Sequence, residues 1–234
     1  MPGARPATRS AIKRPVGALP HKEAYSVQVQ VTGRGTASPV STNVPYLSDL
    51  SIAAAAQDAY SFIRDIRTNG ATIGGSFGMI ATNYTWQAVS ADGTVLVVFG
   101  DQTATNSTPI WWLVQNNLTN GVAGGFDAAA LADTDHTGMA NWAKYVAGLD
   151  PNNSNSVLYV MTPVTNGTPG TVQIQWPSVA GRIYKVQHGT NLLDAVPFPY
   201  ATADQQATPP TNSCLVTVPA ANQHFFRVTV RLAP

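Results

Sequence analysis

The sequence predicts a mainly β protein with some α: an N-terminal α+β domain with one helix on an antiparallel sheet, a short helical loop segment, and a C-terminal β-sandwich. Three observations carry this. Tyr25, Val27, Val29 and Val31 alternate with Ser26, Gln28, Gln30 and Thr32, the period of a strand with one buried face. Ile52, Ala55, Ala56, Ala59, Phe62, Ile63 and Ile66 recur at helical spacing. Beyond Ser156, short β-prone runs are separated by turn clusters such as Asn166-Gly167-Thr168-Pro169-Gly170 and Pro209-Pro210-Thr211-Asn212. A chain of 234 residues suits one or two domains. Only 11% of it is charged, against about 25% in an average soluble domain, so Asn, Thr, Ser, Gln, Gly and Pro must cover its surface.

Residues 1–22 read as an extended arm. Pro2, Pro6, Pro15 and Pro20 exclude regular helix. Arg5, Arg9, Lys13, Arg14 and Lys22 all precede the first acid, Glu23, so the arm carries +5. Residues 23–234 hold eight bases against twelve acids, a net −4. A basic tail on an acidic body seeks an acidic partner: another copy of the chain, an anionic surface or nucleic acid. Pro and Arg also interrupt every apolar run of the arm, so it does not read as a signal peptide, and secretion implies another route or a leader outside this numbering. No run reaches the roughly 18 apolar residues of a membrane-spanning helix. Cys214 is the single cysteine and leaves the redox compartment open.

The α+β domain is expected over 23–105. Its strand at 25–32 is followed by a helix over 49–68, capped by Ser48 and stopped by Asn69-Gly70. Residues 85–90 and 94–99 flank Ala91-Asp92-Gly93 and predict a hairpin, in which the apolar run Val95–Phe99 is buried on both faces. The polar stretch 101–107 reads as a linker. Pro109 then opens a short helix, Ile110-Trp111-Trp112-Leu113-Val114, closed by Asn120-Gly121. Residues 106–156 form the helical segment, and 157–234 the sandwich, with strands expected at 157–164, 171–176, 182–188, 196–201, 213–218 and 224–231.

Catalytic signals are weak. Gly74-Gly75-Ser76-Phe77-Gly78 fits the Gly-x-Ser-x-Gly pattern, which works at a strand-to-helix turn, but the β-prone stretch after it argues against an elbow. His21, His136, His188 and His224 are far apart in sequence, and none has a second ligand at metal spacing. Glu23 is the single glutamate. No catalytic residue is expected.

From Trp111 the chain becomes familiar. Trp111-Trp112-Leu113, Leu118-Thr119-Asn120, the run Phe126–Asp135, Gly138-Met139, Asn141-Trp142, Tyr145, Ala147-Gly148 and Asp150-Pro151 resemble a tail segment of large secreted and surface proteins of environmental bacteria. In those proteins a thrombospondin type 3 or dockerin-type calcium loop leads into a short helix and a C-terminal β-sandwich. Ile174-Gln175-Trp176, the run Ala180–Gln187, Thr190-Asn191-Leu192 and Phe225-Phe226-Arg227-Val228 resemble that sandwich. The resemblance covers about half of the chain and implies a spacer, surface-association or sorting element. Trp176, Tyr184 and Phe226 are expected in its core rather than on a sugar-binding face.

An EF-type loop needs oxygen ligands at positions 1, 3, 5, 7 and 9, Gly at 6 and a bidentate Glu at 12. Asp133, Asp135, Gly138, Met139 and Asn141 fall at positions 1, 3, 6, 7 and 9, while Thr137 stands at 5 and Lys144 at 12. Two ligating oxygens are lost at Lys144 and a positive charge replaces them. Calcium is therefore disfavoured and no cofactor is expected. Either Lys144 faces solvent, or its ammonium stands in for the ion against Asp133 and Asp135. The expected function is a non-enzymatic extracellular or cell-surface structural protein, a self-assembling subunit of a surface layer, filament or similar assembly that associates through its arm. The alternatives are a capsid-like or nucleic-acid-packaging protein using the arm, and a carbohydrate-binding or adhesion module.

Overall fold

A computed structural model describes residues 22–73, 78–119, 121–165 and 167–234. The chain is mainly β with some α, and it divides between Gly100 and Asp101 into two compact units.

The first unit contains β1 (Ala24–Thr32), β2 (Gly35–Ser38), β3 (Ser41–Pro45), β4 (Leu50–Ala56), β5 (Ser61–Thr68), β6 (Ala71–Thr72), β7 (Ala81–Trp86) and β8 (Gly93–Asp101). One sheet has the order β3-β1-β8-β5-β6 and the other β2-β4-β7. Val27, Val29, Ile63, Val95 and Val97 of the first meet Ala37, Leu50, Ile52 and Ala54 of the second in one apolar core. This is a sandwich, sheet on sheet. The expected β1 forms with its predicted buried face; β8 lies inside its sheet, but the run Val95–Phe99 is buried on one face only, through Val95, Val97 and Phe99, while Leu96 and Val98 are half-buried.

Two expectations are corrected here. The helix over 49–68 is instead β4, a turn and β5, so this part is a β-sandwich rather than α+β. Leu50, Ile52 and Ala54 are buried at a period of two, but the alanines around them carry almost no contrast between faces. In β5, Ser61, Ile63 and Ile66 are buried, and the step of three between the isoleucines imitates a helical spacing. Asp58 makes the turn: its carboxylate accepts the Tyr60 N–H at 2.9 Å and the Ser61 hydroxyl at 3.2 Å, and pairs with Arg34 at 2.7 Å. Asn69 and Gly70, expected as a helix stop, have φ of 50° and 84° and form the two-residue hairpin turn that pairs Thr68 with Ala71.

The expected hairpin across 91–93 is also absent. β7 pairs with β4 in one sheet, whereas β8 runs parallel to β1 in the other, with Val27 opposite Gly93. The connection crosses between sheets. Val89 is buried and exchanges backbone hydrogen bonds with Leu47 and Ser48 at 2.9 and 3.0 Å, which carries the chain over.

The second unit begins with β9 (Thr103–Ala104), a 3-10 turn at Thr105–Ser107 and β10 (Thr108–Pro109). Helices α1 (Ile110–Gln115), α2 (Gly125–Leu131) and α3 (Asn141–Ala147) follow. The stretch 101–107, read as a linker, is tied down: Asp127 of α2 accepts the Thr105 N–H and hydroxyl at 2.7 and 2.8 Å. The remaining strands are β11 (Thr171–Pro177), β12 (Arg182–Gly189), β13 (Tyr200–Ala201), β14 (Gln205–Gln206), β15 (Thr211–Thr217) and β16 (Phe225–Leu232). β11 pairs with β15; β12 pairs with β16 on one edge and with β13 and β14 on the other. Ile174, Trp176, Tyr184, Val186 and Val216 fill the space between these sheets, with Phe226 packed against them, so the three aromatics belong to the core as expected. The expected strand at 157–164 is reduced to one bridge, Val164 to Gln173. Pro163 lacks the N–H that would extend the ladder. Of the strand expected at 196–201, the last two residues form β13.

Candidate functional site

The most organised polar group in the second unit is the connection between α2 and α3. His136 and Gly138 adopt left-handed φ values of 56° and 82°, which fold the connection back on itself. Both Asp133 oxygens accept backbone N–H groups, from Thr137 at 3.1 Å and from Gly138 at 2.7 Å. Asp135 accepts the Thr137 hydroxyl at 2.8 Å and the Lys144 ammonium at 2.5 Å. Asn141, at the first position of α3, donates its side-chain amide to the Ala129 carbonyl at 2.8 Å and the Thr134 hydroxyl at 2.9 Å. Met139 is half-buried at the entry to α3.

Lys144 is the centre of this arrangement. Its side chain has 0% exposure and that of Asp135 only 3%. The ammonium donates a second bond to the Ser156 carbonyl at 2.7 Å, so three segments converge on it. Burial pushes the Asp135 carboxyl up, but the bonds from Lys144 and Thr137 and the Lys144 charge hold it below the ordinary carboxylate value. Calcium takes six to eight oxygens, and the twelfth loop position must supply two of them. These residues do not fit such an ion. Lys144 brings its charge against Asp135 and Ser156, and Asp133 is engaged by backbone donors. Of the two sequence expectations for Lys144, the solvent-facing one is excluded. The pairing one is met at Asp135 and corrected at Asp133, which receives N–H groups rather than the ammonium.

The connection is fastened to the sandwich. Arg182 at the start of β12 donates to the Val146 carbonyl at 3.0 Å and the Tyr145 carbonyl at 2.9 Å, capping the last turn of α3 with a cation. Gly148 ends that helix at φ 73°, and a Cβ there would lie 2.7 Å from Val179, so the close approach requires glycine. Tyr145 packs edge-on against Trp112 of α1 at 5.3 Å.

Of the basic arm, Arg5, Arg9, Lys13 and Arg14 lie outside the described residues, as do Ser76 and most of the Gly-x-Ser-x-Gly stretch. Lys22 pairs with both oxygens of Asp92 at 2.9 Å on the surface of the first unit. That hydrogen bond, with one from the Ser26 N–H, holds the Asp92 carboxyl below its ordinary value. The histidines are far apart in sequence, but the register of β12 with β16 places His188 opposite Phe226, 5.8 Å from His224 between ring centroids. A separation of 36 residues hides that pair until the strand register is known. Comparison with protein-family models, with curated proteins and with solved structures found no match.

Proposed function

We propose that the chain is a non-enzymatic structural protein of the extracellular space or cell surface, a subunit of a surface layer, fibre or similar assembly. The observation that carries this reading is the buried Lys144–Asp135 pair, braced by Ser156 and fastened to the sandwich through Arg182. An internal ammonium in place of an exchangeable ion makes the helical connection a permanent brace, suited to a fixed structural unit rather than a calcium-switched one. Two further features support it: the resemblance of residues 111–151 and 171–230 to the tails of secreted bacterial surface proteins, and a charged fraction of only 11%. In this reading the +5 arm reaches a neighbouring subunit whose body carries −4. Exposed charge pairs are individually weak, so Ile12, Val16 and Leu19 must add apolar contact.

The test is the size of the protein in solution. Full-length chain should sediment as an oligomer, and a version lacking residues 1–22 as a monomer with unchanged circular dichroism. High salt should weaken the oligomer only in part. A full-length protein that remains monomeric at high concentration would sink the assembly reading. Co-purifying nucleic acid that salt removes would put the packaging function in its place.

A further inference from the structure

The open side of the C-terminal sandwich holds a cleft of about 480 Å³, walled by Val186, His188, Tyr200, Thr202, Val216 and Thr217. It exists because the two sheets are not closed along this side: among the described residues β15 pairs only with β11, and β13 only with β12. Its volume lies in the range of small-molecule sites, about 300–1,000 Å³.

The wall is built rather than incidental. His188 stands on the core-facing side of β12, with Tyr200 opposite it on β13 and Phe226 opposite it on β16. Its ring stacks on Tyr200 at 4.8 Å and 22°, and on Phe226 at 5.6 Å and 24°, so two neighbours fix its orientation. The residue is 2% exposed, yet its Nε2 has no hydrogen-bond partner. Buried polar atoms are nearly always satisfied, and one left unpaired costs about 1–3 kcal/mol. The stacking fixes the ring, and the nitrogen is left unpaired and sealed from solvent, so a ligand reaches it only when a neighbouring side chain moves.

The remaining wall defines the chemistry of a partner. Among the described residues no Asp, Glu, Lys or Arg lines the cleft, which disfavours an ionic ligand. A purely apolar ligand would leave the imidazole nitrogen unpaired. Thr202 accepts the Val186 N–H at 3.1 Å, which leaves its own hydroxyl proton to donate. Tyr200, 49% exposed, combines an aromatic face with a hydroxyl at the rim. Such a wall suits a molecule with apolar C–H faces and several hydroxyl groups.

We propose that this cleft binds a neutral, polyhydroxylated ligand of the saccharide class, a ring face of which packs on Tyr200 and hydroxyls of which bond to Thr202 and, once a neighbouring side chain shifts to uncover it, to His188 Nε2. Burial, with the nearby His224, lowers the His188 pKa and favours the neutral imidazole that such a contact uses. The proposal does not depend on the assembly reading: a monomer could bind a glycan here, and an assembled subunit could lack the site.

The test is calorimetric titration of the full chain with maltohexaose, cellohexaose, xylohexaose and chitohexaose. At least one should bind in the micromolar to millimolar range. Tyr200→Ala at the half-exposed rim and the near-isosteric Thr202→Val should each weaken that affinity about tenfold or more, and His188→Phe should do the same, since a lost contact of about 1.4 kcal/mol is tenfold. Leu193→Ala, at an exposed position outside the cleft wall, should leave it unchanged. Retention of the wild-type thermal transition separates lost binding from lost fold. No binding by any of the four sugars up to about 10 mM, a limit corresponding to roughly −2.7 kcal/mol, would overturn the proposal. So would affinity that survives all three cleft substitutions, or His188-dependent binding of zinc with no response to sugar.

Discussion

The two sandwiches solve the same packing problem with different materials. Among the described residues of the first unit, Ser61 is the one buried polar side chain, and the core is otherwise Val, Ile, Leu, Ala and Phe. The second unit buries Thr108, Asn141, Lys144, Ser178, His188 and Asn212 beside its apolar residues. Apolar burial is non-directional and tolerates exchange of one aliphatic side chain for another. A buried polar group that is paired is held at a set distance and angle, so Thr108, Asn141, Lys144 and Asn212 each fix a local geometry, whereas the Ser178 hydroxyl and His188 Nε2 are unpaired. Asn212 illustrates this. It accepts the Thr208 N–H at 2.6 Å and donates to the Gln206 carbonyl at 2.8 Å, holding the chain between β14 and β15 in one path. The first unit is held by the quantity of surface removed from water, the second by specific bonds as well.

The largest expected effect tests that contrast directly. Lys144→Met leaves Asp135 buried without its cation and should cost about 3–5 kcal/mol, whereas Ile52→Val in the first core should cost about 0.5–1.5 kcal/mol. Chemical denaturation followed by tryptophan emission can report both, because Trp86 lies in the first unit and Trp111, Trp112, Trp142 and Trp176 in the second. A loss below about 1 kcal/mol for Lys144→Met would place the pair in the range of exposed ion pairs and erase the distinction.

An intermediate effect is expected with acid. Asp135 is held below its ordinary value, so its contribution is complete above the unfolded carboxylate value, about pH 4, and is lost as pH falls through the lower folded value. The second unit should therefore weaken progressively below about pH 4. Asp135→Asn should flatten that acid limb in the second unit's transition and leave the first unit's unchanged. An unaltered limb in the variant would show that other carboxylates govern it.

The smallest expected effect is none at all. Millimolar calcium, or a chelator, should leave the melting temperature of the wild-type chain where it is. A rise of several degrees at sub-millimolar calcium would mean that the native state binds the ion, since such binding must stabilise it. The double change Lys144→Glu and Thr137→Asp should create a calcium-dependent melting temperature.

Legibility in the sequence followed contrast between neighbouring residues. β1, β11, β12, β15 and β16 were readable because large apolar residues alternate with polar ones, and the turns between them hold Gly, Pro and Asn. β4 was not, because alanine suits either face and either period. The error at 49–68 also shows how one extra residue between Ile63 and Ile66 can mimic a helix. Loop spacing left Lys144 either solvent-facing or paired with Asp133 and Asp135, so only its place at position 12 was legible. The choice of Asp135 over Asp133 was not, because it depends on where the Thr137 and Gly138 N–H groups point. The His188 cluster depends on a register between strands far apart in the chain, information that no local pattern contains.

Lys144 also gives the molecule a chemically silent amine. Amine-acylating reagents require an accessible lysine, and the side chains of Lys22 and Lys185 are 56% and 40% exposed, while that of Lys144 is sealed. Its nitrogen can be modified only when the contacts that seal it, to Asp135 and to the Ser156 carbonyl, open. Where reagent outpaces reclosure, the labelling rate at this position equals the rate at which those contacts open. One side chain thus doubles as a clock for the opening of its own surroundings.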